Sequence, residues 1–314
     1  MSAFDAYLRL EGSLDGSVLM DESMARHTSY RIGGPARLFV TCDSLSDLSL
    51  VFSVLREEEV PWAVIGRGSN LLVADEGYDG AIIVLGPAFS RMDFGQEQDE
   101  TAQPGVQTCV TVGAGAMFPR VVQRAFGRGL SGLEFAVGIP GTLGGALFMN
   151  AGSRDAWIGG IVCSVTSYVP GVGLKLRRHD DIKWGYRKSS LPAGEVILEA
   201  SLRLVTADAA LMRSQMESSR IRRQAHQPLG LPSCGSVFKN PEGASVGKLI
   251  ESCGLKGTKC GGAQISEKHA NFIVNTGSAT ALDVLKLIHQ VRDCVKEEHG
   301  IELKPEVRFL GFPQ

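Results

Sequence analysis

Three glycine-dense stretches constrain this chain more than any other feature. Of its 314 residues 38 are glycine, concentrated in 66 to 80, 127 to 160 and 230 to 262. Glycine is needed at such density where backbone turns left-handed or approaches something that a side chain would block. Between the clusters run short segments rich in Val, Ile and Leu at 36–41, 60–65, 81–85, 107–112, 161–168 and 196–204, which read as strands. Helices are fewer. One is expected over 45–58 with Ser44 and Asp47 as a capping pair, one over 116–127, and a long one over 281–299 that starts at Thr280 and Asp283 and stops at Gly300. The irregular alternation predicts the α+β class. A chain of this length exceeds one ordinary core, so two or three units sharing a ligand cleft are expected. The polar, acidic stretch 86–105 and the charge-rich helical stretch 207–225 place cuts near 95 and 206, giving units 1–95, 96–206 and 207–314.

Several function classes are excluded early. The formal charge is -2, the pI is near 6.3, and no basic run occurs, so nucleic acid and anionic membrane are not expected partners. Apolar stretches are interrupted well before the ~20 residues that a membrane span needs. The opening MSAFDAYLRLEGSLDG lacks a basic leader segment and a small-residue cleavage site, which points to the cytoplasm. Seven cysteines, odd in number and never spaced C-x-x-C, support neither a disulfide framework nor a metal site. Cys234, in a glycine-containing loop, is the one cysteine whose position would suit a nucleophile, given a nearby base or cation.

Two of the glycine loops resemble anion cradles. WAVIGRGSNLLV (62–73) places Gly66, Arg67, Gly68, Ser69, Asn70 and Leu71 directly after a strand, where successive N–H groups can point at one phosphate. It is not a Rossmann turn, because Leu71 stands where the third glycine would be and the chain continues as strand. GIPGTLGGALFM (138–149) combines Gly138, Pro140, Gly141, Thr142, Gly144, Gly145 and Ala146, and predicts a short helix beginning at Pro140 with its first N–H groups facing a ligand. A plain turn and tight helix packing are the respective alternatives. Together the loops point to the diphosphate of a dinucleotide. In PSCGSVFKNP (232–241), Ser236 reads as a nucleophile, a proton donor or a turn residue, and no G-x-S-x-G elbow surrounds it. Arg187 alone reads as a surface ion-pair residue. Glu306 falls on the polar face of an expected final strand, IELKPEVRF, that Pro305 confines to an edge.

In order, HTSYRIGGPA (27–36), GRGSNLL (66–72), GLEFAVGIPGTLGGALFMNAG (132–152), GYRKSSL (185–191), PSCGSVFKNP, GAQISEKHANFIVN (262–275) and PEVRFLG (305–311) resemble the UDP-N-acetylenolpyruvoylglucosamine reductases, in their shorter, type II form. The resemblance covers about residues 26 to 311. It implies a vanillyl-alcohol-oxidase-type (PCMH-type) FAD-binding fold of two subdomains with a C-terminal α+β substrate-binding domain, FAD held noncovalently by the two loops, and NADPH as co-substrate. The substrate implied is UDP-N-acetylglucosamine enolpyruvate, reduced for peptidoglycan synthesis by hydride passing from NADPH through FAD to C3. It implies that Ser236 protonates C2, that Arg187 stabilises the enolate, that Glu306 is a catalytic carboxylate, and that the three converge. Tyr186, Lys239 and Asn240 are implied substrate contacts, with Lys239 equally readable as a structural lysine, and His27 and His269 read as structural. A monomer or weak dimer is expected. Where many relatives carry a tyrosine after Asn150-Ala151-Gly152, this chain has SRDAWIGG, so that loop departs from the pattern. Rival readings are an FAD-dependent sugar or lactone oxidase and a noncatalytic nucleotide-binding protein.

Overall fold

In the computed structural model, which describes residues 2–95, 105–153 and 155–313, the six apolar segments all become strands. The chain divides into two compact units. One comprises Met1–Met20, Leu38–Gly66 and Ala81–Arg222, and the other Asp21–Arg37, Arg67–Gly80 and Arg223–Gln314.

The first unit holds two apolar cores. In one, the helix Leu45–Glu57 lays Leu48, Val51, Phe52 and Leu55 against Leu38, Val40, Ala81 and Ile83 of the strands. Ser44 Oγ accepts from Asp47 N at 3.0 Å, but the Asp47 carboxylate does not return to its own cap. It instead accepts from the amides of Asp15, Gly16 and Asp43, which pins two neighbouring turns to the helix start. In the other core the strand Val196–Thr206 is central, antiparallel to Gln107–Gly113 on one side and Val162–Val169 on the other. The helix Phe118–Gly127 packs there through Val121, Val122 and Ala125. Part of the expected surface stretch 86–105 is regular, as a 3-10 turn over Pro87–Ser90 and a short strand Met92–Asp93. Residues 96–104 lie outside the described residues.

The second unit is built around the helix Ala281–His299. Its start is the expected capping box, with Thr280 Oγ1 accepting from Asp283 N and the Asp283 carboxylate accepting from Thr280 N. Asp75 adds its carboxylate to the next two orphan amides, of Ala281 and Leu282, at 2.7 and 2.9 Å. Gly300 closes the helix in the left-handed region, where glycine is favoured. Val284, Leu287, Ile288, Val291 and Val295 pack on the sheet of Lys259–Cys260, Ala263–Ile265 and Ile273–Asn275. Among the described residues no helix is long and apolar enough to cross a membrane.

Candidate active site

Ser236 lies between bends at Gly235 and Val237, and the residues that follow it are held rather than free. Val237 N donates to Asn271 O, Phe238 N donates to Asn271 Oδ1, and Asn271 Nδ2 donates to Phe238 O. Asn271 is buried, so its side-chain amide stands in for a neighbouring strand and satisfies both backbone groups of Phe238. On the other side Glu306 N donates to Val237 O at 2.7 Å, Lys239 N donates to Lys304 O at 2.9 Å, and Phe238 bridges Pro305 antiparallel. Ser236 and Glu306, far apart in sequence, are thereby fixed on adjoining chain segments. The regular strand near Glu306 is shorter than expected: only Arg308–Leu310 qualifies, pairing parallel with Leu71–Val73. The segment before it spends its hydrogen bonds on 237–239 instead, which leaves Glu306 at the end of a bridge and not within a ladder.

The first glycine loop is tied to the same place. Asn70 Nδ2 donates to Glu306 O at 3.1 Å and Arg308 N donates to Asn70 O. Ser29 N donates to Gly68 O and Ser29 Oγ donates to Ser233 O at 2.7 Å, so Ser29 bridges the Gly68 turn and the Ser236 loop. Gly68 has φ +58, and a Cβ there would lie 2.2 Å from His27 O, so no other residue fits. Leu71 begins the buried strand and faces the core.

The second loop departs from expectation at its helix. The helix is Leu143–Phe148 with Thr142 as N-cap, not one that starts at Pro140. Gly141 has φ +103, which a helix cannot contain. Nor do the first helical amides face outward: Leu143 N donates to Ala116 O, Gly144 N to Ala114 O, and Gly145 N to Thr142 Oγ1. Gly144 answers a packing need, since its Cβ would lie 3.1 Å from that of Ala114. Ala146 is buried. Within the first unit Gly66 sits against Thr142, because a Cβ on Gly66 would lie 2.4 Å from Thr142 Oγ1.

A dinucleotide diphosphate needs fixed N–H donors without intruding side chains. The amides of Gly66, Arg67, Gly68, Ser69 and Asn70, and those of Gly141 and Thr142, have no acceptor among the described residues. Three of these seven positions lack a Cβ altogether. Gly66, Gly141 and Thr142 in the first unit, and Arg67 to Asn70 in the second, thus each offer unpaired amides that fit a phosphate, from loops rather than a helix end.

Arg187 occupies a two-residue turn between Trp184–Gly185 and Lys188–Ser189 and has φ +54, an uncommon conformation for a side chain of its size. The turn is anchored from several sides. Arg187 Nη1 donates to Gly152 O at 2.7 Å, Asn150 Nδ2 to Gly185 O at 2.9 Å, and Ser189 Oγ to Phe148 O. Asn150 also accepts from Gly159 N, is buried, and has φ +44. The Arg187 hairpin is thus fastened to the end of the glycine helix. Tyr186 is exposed, with the guanidinium 5.4 Å from its ring centre. The divergent loop closes on itself through a Gly152–Trp157 bridge; Arg154 lies outside the described residues.

Of the other expected residues, Lys239 is half-buried, and Asn240 is exposed with its Oδ1 accepting from Val246 N at the start of the helix Val246–Ser252. Cys234 is buried, and burial pushes its thiol up to about 12, so it carries no thiolate at neutral pH. His27 bonds Glu22 at 3.0 Å, and burial lowers His269, whose Nδ1 accepts from Asn271 N. Sequence reasoning gave no separate role to Asn150, Asn271 or Ser29, although all three lie in the quoted blocks.

A family model for the C-terminal domain of UDP-N-acetylenolpyruvoylglucosamine reductase matches residues 227–310, and one for an FAD binding domain matches residues 36–170. The UDP-N-acetylenolpyruvoylglucosamine reductase of Geobacter metallireducens is 42% identical over 307 residues, covering 98% of both chains. The chain belongs to this reductase family. The enzyme of the same name from Bacillus subtilis is 40% identical over 298 residues, 94% of this chain and 95% of its own. The crystal structure of the Thermus caldophilus reductase superposes with a TM-score of 0.78 at 34% identity, covering 95% of this chain and 99% of the other. Membership makes the protein an FAD-containing oxidoreductase with NADPH as co-substrate.

Proposed function

We propose that the protein reduces the enolpyruvyl group of UDP-N-acetylglucosamine enolpyruvate to the lactyl ether of UDP-N-acetylmuramate, a step of peptidoglycan synthesis. What carries this reading is the family membership together with one arrangement, the Ser236 and Glu306 segments clamped side by side and bonded to the Gly66–Asn70 loop. When bound and reduced by NADPH, FAD would supply the hydride for the substrate's C3. The residues that would hold its diphosphate are Gly66, Arg67, Gly68, Ser69 and Asn70 and Gly138, Pro140, Gly141 and Thr142. Leu71, Gly144, Gly145 and Ala146 shape those loops by packing.

Charge left on C2 and the substrate carboxylate needs a fixed, permanent cation, and Arg187 provides it through a planar fork that suits a carboxylate. Ser236 Oγ delivers the proton to C2. A hydroxyl is a weak acid, so this role requires a strongly basic carbanion and a donor held still, which the Asn271 clamp supports. Glu306, carrying a proton, donates to the enolate. Tyr186, Lys239 and Asn240 contact the substrate, Asn240 through its Nδ2 because Val246 N engages its Oδ1. The divisions 1–95 and 96–206 are the two FAD-binding subdomains, in keeping with the two apolar cores of the first unit, and 207–314 is the substrate-binding domain. The protein works in the cytoplasm as a type II enzyme, monomeric or weakly dimeric, and engages neither nucleic acid nor membrane.

The test is anaerobic. The purified yellow protein is reduced with one equivalent of NADPH and then mixed with the enolpyruvyl sugar nucleotide. Reoxidation of the flavin with formation of the lactyl ether is expected. Reoxidation by oxygen but not by this substrate would overturn the reading.

A further inference from the structure

Away from the reductive site, the second unit carries a group of side chains for which that chemistry has no use. The helix Val246–Ser252 ends at Cys253, and the helix Ala281–His299 brings Cys294, Glu298 and His299 into its last turns. Cys294 and Glu298 are four residues apart and share a face, with Cys294 Sγ 3.9 Å from Glu298 Oε1. One ligand atom each from Cys253, Glu298 and His299 lies within 4.8 Å of the others, the one such grouping among the described residues. Ser252 Oγ, beside Cys253, is 2.9 Å from His299 Nε2, which orients the imidazole toward the short helix. Cys294 stands outside that threefold grouping and adjoins it through Glu298.

The chemistry of this set is selective. Two sulfurs, one imidazole and one carboxylate suit a borderline-soft divalent ion and are poor ligands for magnesium or calcium, which take oxygen. With metal–sulfur bonds of about 2.3 Å and metal–nitrogen or –oxygen bonds of about 2.0 Å, a tetrahedron places its ligand atoms roughly 3.3 to 3.8 Å apart. The three ligand atoms of Cys253, Glu298 and His299, all within 4.8 Å of one another, approach that range by side-chain rotation, with Cys294 joining from beside Glu298. Glu298 and His299 are exposed and free to make it, and the two cysteines are half-buried on helix ends already fixed by the core.

We propose that Cys253, Cys294, Glu298 and His299 form a four-coordinate site for a zinc-class divalent cation that ties together the C-terminal ends of these two helices. Sequence alone could not show it, because the ligands come from two helices with no short C-x-x-C or H-x-x-H spacing. Occupancy would brace the helix whose first turn is capped by Asn240.

Cobalt serves as the probe. The reduced full-length holoprotein is titrated with Co²⁺ and followed by difference absorption against the metal-free sample. One equivalent is expected to bind, with a thiolate-to-cobalt charge-transfer band in the near ultraviolet and visible bands of tetrahedral intensity, all removed by equimolar Zn²⁺. Cys253→Ser and Cys294→Ser should each reduce the charge-transfer band by about half, and His299→Ala should weaken binding at least tenfold, on the order seen when metal-site support is removed. These variants should keep their NADPH-dependent turnover, which marks them as folded. Should a variant misfold, alkylation of the wild type decides: Zn²⁺ should protect Cys253 and Cys294, and no other cysteine, from iodoacetamide. Cobalt bound without a thiolate band, a spectrum unchanged by the cysteine substitutions, or unprotected thiols would overturn the site while leaving the reductase reading untouched.

Discussion

A serine hydroxyl gives up a proton only under exacting conditions, so its surroundings matter more than its identity. Here the chain around Ser236 is gripped on both sides, by the Asn271 amide and by the backbone of 304–307. Replacing Ser236 with Ala should leave NADPH-driven flavin reduction at its normal rate in stopped flow. The flavin's reoxidation by the enolpyruvyl substrate should slow by roughly a hundredfold or more, the ordinary worth of a positioned acid. Equal reoxidation rates would remove Ser236 from the chemistry. That Ser236 belongs to a site was legible from its block. That Asn271 is its clamp was not, since an asparagine in HANFIVN reads equally well as a turn residue until the tertiary fold places Phe238 across from it.

Elements whose ends are set by local chemistry came out of the sequence nearly intact. The long helix begins and stops where Thr280, Asp283 and Gly300 direct it, because capping uses groups within four residues of each other. Thr280→Ala should cost about 1 kcal/mol, read from the urea midpoint at neutral pH. The Thr280 backbone N–H holds the Asp283 carboxyl below the ordinary 3.8. A depressed carboxyl stabilises the fold while ionised, so its contribution is complete above that ordinary value and fades as pH falls below it toward the folded-state value. The stability gap between wild type and Asp283→Asn should therefore be present at pH 7 and close in strong acid. A gap independent of pH would contradict the capping role. The glycine helix shows the opposite case. Pro140 is a good local start signal, yet the helix starts at Thr142 because Ala114 and Ala116, a strand and a turn away, supply acceptors for its first amides. The strand expected around Glu306 shortened for the same kind of reason, its hydrogen bonds being taken by 237–239.

At the scale of the whole molecule, cofactor binding should be visible as stability, because a ligand held only by folded loops shifts the folding equilibrium. At FAD a hundredfold above its dissociation constant the gain is about 2.7 kcal/mol, and the melting temperature of deflavinated protein should rise by roughly 5 °C. No rise on adding FAD, measured by differential scanning calorimetry, would argue against the loop amides as its seat. What the sequence determined by itself is what depends on short range: the α+β class, the six apolar strands, the long capped helix, and a block pattern distinctive enough to imply the family. Only the tertiary structure decided which of the two loops' amides stay unpaired, that the Glu306 segment lies beside the one that follows Ser236, that an arginine turn with positive φ is fastened by Asn150, and that Cys253, Glu298 and His299 gather at two helix ends. These are pairings between groups tens to hundreds of residues apart. No local propensity encodes them, because a backbone amide has the same chemistry wherever it stands and only the packed chain settles which acceptor, if any, reaches it.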